Sequence, residues 1–580
     1  MRRIILTFTL ITALGCTASL RGQQLDPSEY VYPVRGVSGA CSANFGEMRP
    51  GHFHAGVDIK TEGVEGKELV AVADGCISRA VITAGGYGRA LYLTLPNGKT
   101  AVYGHLQRFR DDIEEYVQQA RRERRTNGVD LTFDAAQWPV RQGELIGYSG
   151  NSGSSMGPHL HFELRDNRTQ RRYNLVHEGI IRPTDHIAPR ILRLHYIEVD
   201  TVRGVPVRSP GESYAVVRTT AGDYRLTHSE ALPVGRNGYF VVEASDRRDG
   251  VHNTFGIWRA ALSVDGLPRF EYRMDGFTYE QARCCDAVSC YPLQLFSRNE
   301  CIRLARLQGA PEEFYPTLVD QGVLRIDEGA QHTVRIEVED DSGNRSHLEF
   351  TVRGRAESFR AAPDTASVVA RHDRATLLTI PGEVTARIPA GALYEPLFCR
   401  PERLDAADIP HPAGVVQLSP VYRILDSRTP LYRAMTVSIP VPLPPAMQLR
   451  AVMAVRTAKG ALICAGGSYT EGGVTCLTRT AGDLLVVADT LPPTVRPLFG
   501  DGTDLSRSAT LRFAVRDNFA GIASWRLRID GEWVPCDRFP MRGTLVHTFD
   551  TPPARKRHDA ELSVTDACGN TTRWRGTFRR

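Results

Sequence analysis

The sequence predicts a mainly β chain of several domains, and three observations carry that reading. At 580 residues the chain exceeds what one hydrophobic core covers, and about four domains are expected for the length. Short alternating apolar runs, broken by Asp-Gly, Gly-Asn and proline, recur throughout, the signature of strands joined by tight turns. Helical periodicity interrupts them at 108–125. Apolar residues make up 42% and charged residues 24%, the balance of folded soluble protein. A net charge of +5 over this length excludes a dedicated nucleic-acid binder, which would carry a dense basic stripe.

Arg2 and Arg3 precede an apolar run at 4–14, and small residues follow at 15–19. A charged head, about a dozen apolar residues and a small-residue tail read as an export signal over 1–22. The run is too short for a comfortable membrane span. "ALGC" at 13–16 ends on the Gly-Cys of a lipoprotein cleavage box but has Ala where Leu is usual. Lipid attachment at Cys16 and a cleaved secretory signal therefore both stand. No later stretch is long and apolar enough to span a bilayer, so the mature chain is expected in the periplasm, on the outer membrane or at the cell surface. Of the twelve cysteines, eleven remain once Cys16 is cleaved off or acylated, and in such a compartment most are expected to pair, Cys464 with Cys476 across a hairpin and Cys536 with Cys568 in the last domain. Cys284, Cys285, Cys290 and Cys301 crowd together, but without the paired C-x-x-C knuckles of a zinc site.

After the signal, 30–187 is dense in glycine and β-like runs such as "ELVAVADGCISRAV" and "GELIGYSGNSG". Within it, the helix 108–125 puts Phe109, Ile113, Tyr116 and Val117 on one stripe. Acids fill its first turns and arginines its last, as the helix dipole prefers. Its place in the sequence suggests a groove wall or lid. "RPTDHIAPR" at 182–190 is a proline-bearing linker. Beyond it, "FGIWRAALSVDG" (255–266) parallels "AGIASWRLRIDG" (520–531), and "VEDDSGNRS" (338–346) parallels "VTDACGNTT" (564–572). Two copies of a unit of ~100 residues with such spacing predict immunoglobulin-like β-sandwiches at 190–355 and 490–580. A further β-domain is expected at 360–488. None of these later domains is expected to carry catalytic residues, and a fragment of 23–187 is expected to keep its metal.

The chemistry concentrates in the first domain. "GPHLHFELRD" (157–166) places His159 and His161 on one face of a strand, with Leu160 and Phe162 turned to the core. "HFHAGVD" (52–58) supplies His54 and, four residues on, Asp58, and "YGHL" (103–106) supplies His105 at a strand end. Zinc hydrolases take three protein ligands, from imidazoles and a carboxylate, and keep one position open. His54, Asp58 and one histidine of the H-x-H strand make that set, with the other histidine and His105 beside the open position. No H-E-x-x-H occurs, so histidine must handle the protons. Arg49, His52 and Asn44 precede the first motif, Arg49 as a groove-lining candidate.

H-x(3)-D, then G-H-L, then H-L-H resemble the LytM/lysostaphin-type zinc endopeptidases of peptidase family M23, over about 40–166. The runs "AVADGCISRAVITAGGYGRALYLTLPNGKTAVYGHL" and "GELIGYSGNSGSSMGPHLHFE" extend the likeness, and "NFGEMRPGHFHAGVD" is similar to multidomain members from Bacteroidetes. The resemblance implies an antiparallel β-sheet peptidase domain that binds Zn2+ through His54, Asp58 and His161. It implies His105 and His159 as the catalytic pair that positions or deprotonates the water and stabilises the oxyanion, and a peptide of peptidoglycan stems or cross-links as substrate. Asn44 matches the position of an asparagine that blocks the zinc in latent members. The alternative is a non-catalytic regulator or binding scaffold of cell-wall hydrolysis. Family precedent also allows glycine-rich protein substrates. Oligomeric state is left open.

Overall fold

The structure, a computed structural model, describes residues 25–580 except 221, 229, 363–364, 406–408, 551 and 553–555. The export signal read at 1–22 and Cys16 lie outside the described residues. Strands dominate, and among the described residues no helix is long and apolar enough to cross a membrane.

The N-terminal unit is built on Cys41–Ala43 (β1), Val57–Lys60 (β2), Gly75–Ile82 (β3), Arg89–Thr94 (β4), Lys99–Gly104 (β5), Val129–Thr132 (β6) and His159–Asp166 (β7). They form an antiparallel sheet in the spatial order β1-β2-β7-β5-β4-β3-β6. The late strand β7 thus lies between β2 and β5, flanked on both sides. Leu160, Phe162 and Leu164 point from β7 into one core with Ile59, Leu91 and Tyr103. Alternation sends His159, His161 and Glu163 to the opposite face.

The insertion helix α1 spans Asp111–Arg124. Arg108–Phe109 is instead a short strand paired with Gly147 and Tyr148. Ile113, Val117 and Ala120 are the buried stripe of α1, whereas Tyr116 is exposed and packs edge-on against Phe133 and Trp138.

Downstream, strands of 190–354 enclose a core of Leu194, Phe240, Leu262, Ile336 and Leu348. Those of 368–489 enclose Ala386, Val437, Val455 and Val486, and those of 494–579 enclose Phe513, Leu527, Leu545 and Leu562. The internal repeat is structural. Arg259–Val264 and Leu267–Arg273 form a hairpin through Asp265 (φ 50°) and Gly266 (φ 76°). Ile522–Ile529 and Glu532–Val534 form its counterpart through Asp530 (φ 52°) and Gly531 (φ 82°). Two central residues at positive φ suit the right-handed twist of a two-residue hairpin, which is why Asp-Gly stands at both.

The units are not separate beads. Arg172–Tyr173, paired with Arg165 of β7, also pairs with Gly276–Phe277 and carries the N-terminal sheet into the next unit. Phe45 stacks on Phe277 at 4.8 Å, and Phe53 packs against Phe277 and Phe314. The chain end also returns to the start. Asp537 sits between Arg89 of β4 and Arg121 of α1, at 3.0 and 2.5 Å, and Arg542 pairs with Glu65 at 2.7 Å.

The expected disulfides are not formed: the eleven described cysteines are all free thiols. Cys464 and Cys476 belong to different sheets, since Leu462–Gly466 pairs with Ala451–Arg456 while Gly473–Thr478 pairs with Met435–Pro440. Cys536 lies in the core of the last unit, whereas Cys568 packs at its far end against Ile409 and Val415. Of the clustered cysteines, Cys284 and Cys285 pack in one core and Cys290 and Cys301 in another.

Candidate active site

Register brings the motif residues together. His161 of β7 lies opposite Asp58 of β2 on one side and Gly104 of β5 on the other. His54 reaches the same point from the loop before β2. That approach requires Gly56, where an added Cβ would lie 2.4 Å from the Phe162 carbonyl oxygen and 2.9 Å from His161 Nε2. His54 Nε2 is 3.1 Å from His161 Nδ1 and 3.1 Å from Asp58 Oδ1, and His161 Nδ1 is 2.9 Å from Asp58 Oδ1. All three residues are buried.

Hydrogen bonds select which nitrogen each ring presents. His54 Nδ1 faces the Asn44 carbonyl oxygen at 2.7 Å. A carbonyl only accepts, so Nδ1 carries the hydrogen and the Nε2 lone pair is left for the site. His161 Nε2 donates to Glu163 Oε1 at 2.8 Å, which turns Nδ1 inward. His105 Nδ1 donates to the Ser152 carbonyl at 2.8 Å, and His159 Nδ1 donates to the Gly157 carbonyl at 2.8 Å. Nε2 is thus the nitrogen that each ring leaves for the site. That of His159 is buried without a hydrogen-bond partner and lies 3.5 Å from Asp58 Oδ1. The His105 and His159 rings meet edge-on at 4.8 Å.

His105 holds its place at a backbone cost. Its φ is 64°, a left-handed conformation that costs a residue with a Cβ roughly 1 kcal/mol. The amide of His105 donates to the Tyr87 carbonyl at 2.8 Å and that of Leu106 to Arg89 at 3.0 Å, which pins the strained turn.

The donor set fits zinc. A tetrahedral ion with bonds of ~2.0–2.1 Å needs ligand atoms roughly 3.3 Å apart, and the three contacts fall just inside that. The charges agree. Burial alone would lower His161, but hydrogen bonds to Asp58 and Glu163 raise it to about 9. Imidazolium at His161 thus takes the positive charge that the two carboxylates call for. Burial pushes His54 down to about 4, and burial followed by the neighbouring His159 and His161 pushes His105 down to about 3. Both are neutral at pH 7.

All five residues singled out in the sequence converge here. The supporting residues were missed. Glu163, 1% exposed, receives Tyr87 Oη at 2.5 Å, Arg165 Nε at 2.6 Å and Arg172 Nε at 3.2 Å. The signal for Glu163 was in "HLHFE", since two residues beyond His161 is the same face of the strand. Asn44 does not turn its side chain to the site: its amide exchanges hydrogen bonds with the Gly256 backbone at 3.0 and 2.9 Å. Arg49 Nη2 donates to Asp58 Oδ2 at 3.1 Å, which leaves Oδ1 for the site. His52 is exposed and faces the Pro50 carbonyl.

Residues 134–173 match the model of peptidase family M23, and residues 372–489 match a Zu5-like domain. A 115-residue stretch is 34% identical to a protein named DD-carboxypeptidase/endopeptidase Mpg of Neisseria meningitidis, over 20% of this chain and 20% of that protein. A 124-residue stretch is 33% identical to an uncharacterised metalloprotease of Haemophilus influenzae, over 21% of this chain and 20% of the relative. The match thus spans about a fifth of the length of these curated relatives. Among solved structures, the catalytic domain of the prophage-encoded M23 protein EnpA from Enterococcus faecalis is 24% identical. It covers 24% of this chain and 92% of its own, with a TM-score of 0.19. With the family model falling on the unit that holds the five converging residues, the N-terminal part of this chain is similar to peptidase family M23.

Proposed function

We propose that the protein is an exported zinc metalloendopeptidase that hydrolyses peptide bonds in peptidoglycan stems or cross-links. The observation that carries this reading is the convergence of His54 Nε2, Asp58 Oδ1 and His161 Nδ1 within 3.1 Å of one another, with two further histidines beside them. His54, Asp58 and His161 would hold the ion. When bound, zinc supplies Lewis acidity that polarises the scissile carbonyl and acidifies the attacking water.

The protein's own residues manage the protons. His105 and His159 each hold Nδ1 to the backbone and leave Nε2 for the site, so either ring, when neutral, accepts a proton from the attacking water. The imidazolium so formed owns the N–H that a developing oxyanion or a departing amine needs. Their Nδ1 bonds to backbone carbonyls keep both rings aimed while this happens. The units of 190–355, 360–488 and 490–580 are proposed as spacer or targeting domains behind the 30–187 peptidase domain, on a chain that leaves the cytoplasm through its 1–22 signal.

Digestion of purified sacculi with the zinc-loaded protein, followed by mass spectrometry of the released muropeptides, tests the proposal and reports the bond cleaved. Release of peptide fragments is expected. Intact sacculi after prolonged incubation, with zinc bound, would favour the regulator reading instead.

A further inference from the structure

The two units related by the internal repeat carry a matching group of carboxylates that the N-terminal site does not use. In the first, Asp185 of the linker, Asp246 just past Asn237–Ser245 and Asp340 just past Gln331–Glu339 bring one oxygen each within 4.8 Å of one another. In the second, Asp489, Asp517 and Asp566 do the same. The correspondence extends to the scaffold. Asn344 Nδ2 donates to Asp340 Oδ2 at 2.9 Å and to the Asp185 carbonyl at 3.5 Å. Asn570 Nδ2 donates to Asp566 Oδ2 at 2.8 Å and to the Asp489 carbonyl at 2.9 Å. Each group therefore joins the same three places: the segment entering the unit, a strand end, and the Gly-Asn turn.

Asp246 shows what is missing. It is fully buried, and neither carboxylate oxygen has a hydrogen-bond partner. Asp185 Oδ2, Asp341 Oδ2 and, in the second group, Asp517 Oδ1 are also buried atoms without a hydrogen bond. An ionised carboxylate in that condition is strongly disfavoured. Arg248 is a cation at hand, but it pairs with Asp341 and its Nε lies 3.6 Å from Asp185 Oδ2. Asp246 and Asp340 are left facing each other. Burial, then Asp340 and Asp185, push Asp246 up to about 9, and burial raises Asp340 to about 6. Without added positive charge, Asp246 keeps a proton at neutral pH.

We propose that Asp185, Asp246 and Asp340 bind one calcium ion, and that Asp489, Asp517 and Asp566 bind a second. The donors are all oxygens, which selects a hard cation over zinc. Several buried carboxylates converging on one point suit calcium, whereas magnesium retains waters and takes one or two carboxylates. The ions would lock the joints of the molecule. Asp185 lies in the connection from the peptidase unit, and Arg248 stacks at 4.5 Å on Phe255, a member of the peptidase core. Asp489 ends the strand Gly482–Asp489, and Asn518, next to Asp517, donates to the Ala413 carbonyl at 2.9 Å. This inference stands apart from whether the N-terminal site cleaves peptides.

The test is calorimetric titration of CaCl2 into the full chain, stripped of metal and given one equivalent of zinc, beside thermal melts. Uptake of about two calcium ions per chain is expected, with dissociation constants between roughly 10⁻⁶ and 10⁻³ M and a rise in Tm. Asp246→Asn and Asp517→Asn should each lower the stoichiometry by one. In calcium-free buffer, Asp246→Asn should melt no lower than the parent, because it removes a buried repelling carboxyl, and it should lose the calcium-dependent rise from its site. No calcium uptake by the parent chain at about 10 mM, roughly tenfold above that range, would overturn the proposal without reference to any variant. So would a stoichiometry that neither substitution changes, or an equal response to magnesium.

Discussion

Glu163 decides which nitrogen of His161 faces His54 and Asp58. Its carboxylate accepts the Nε2 proton and is itself held by Tyr87, Arg165 and Arg172. Glu163→Gln can turn its amide NH2 toward Nε2 and destroy that preference, so zinc affinity is expected to fall by about 10- to 100-fold, measured by competition with a chelating dye. His159 and His161 look alike in "HLH" but should fail differently. His161→Ala removes one of three protein donors and should lose metal and activity together. His159→Ala should keep zinc while turnover falls by ~10²- to 10³-fold. Elemental analysis beside the rate on a cross-linked peptide separates them, and the opposite pattern would reverse the two roles. Proton linkage gives a third expectation. His161 is raised to about 9, so at pH 7 it is charged in the metal-free protein, whereas His54 at about 4 is already neutral. Zinc binding at pH 7 should therefore release about one proton, and affinity should rise about tenfold per pH unit up to about pH 9. Titrations in buffers of different ionisation enthalpy measure the release, and zero would mean that His161 is neutral before the metal arrives.

At the scale of elements, β7 and the loop before β2 make the site as a unit. Alternation along β7 supplies two histidines and their carboxylate on one face and three core residues on the other. The loop supplies His54 only because Gly56 lets the two backbones touch. Gly56→Ala is expected to cost about 1–3 kcal/mol and to weaken zinc binding, since the Phe162 carbonyl cannot swing away as a side chain would. Gly157→Ala, where nothing lies within 4 Å of the added Cβ, is the control and should melt like the parent. A Gly56→Ala protein with unchanged Tm and zinc content would show that the loop has slack. The helix α1, read from sequence as a groove wall or lid, is held to the last unit through Arg121 and Asp537.

Across the whole molecule, the N-terminal unit is completed by its neighbours. Phe45 and Phe53, both just ahead of His54 in the chain, belong to the core of the next unit. Asn44, whose carbonyl aims His54, is anchored by Gly256. The fragment 23–187 would expose both phenylalanines and free Asn44. It is expected to bind zinc at least about tenfold more weakly than the full chain, revising the expectation that it keeps its metal unaided. Equal affinities in parallel titrations would show that these contacts are dispensable to the site.

Sequence alone determined the chemistry of the site and the texture of the fold. H-x(3)-D, G-H-L and H-L-H are local patterns whose meaning lies in residue type and spacing, and period-two alternation put His159 and His161 on one face before any partner strand was known. The Asp-Gly hairpins and the repeat were legible for the same reason, since a tight turn is set by the residues within it. Only tertiary structure decided the rest. Arg172 and Gly256 support the site from segments with no sequence relation to its motifs. The cysteines expected to pair stand instead as free thiols. The two carboxylate groups became visible only when linker, strand end and turn, far apart in the chain, met in one buried place. Burial and long-range proximity are properties of the packed molecule, and spacing along the chain carries neither.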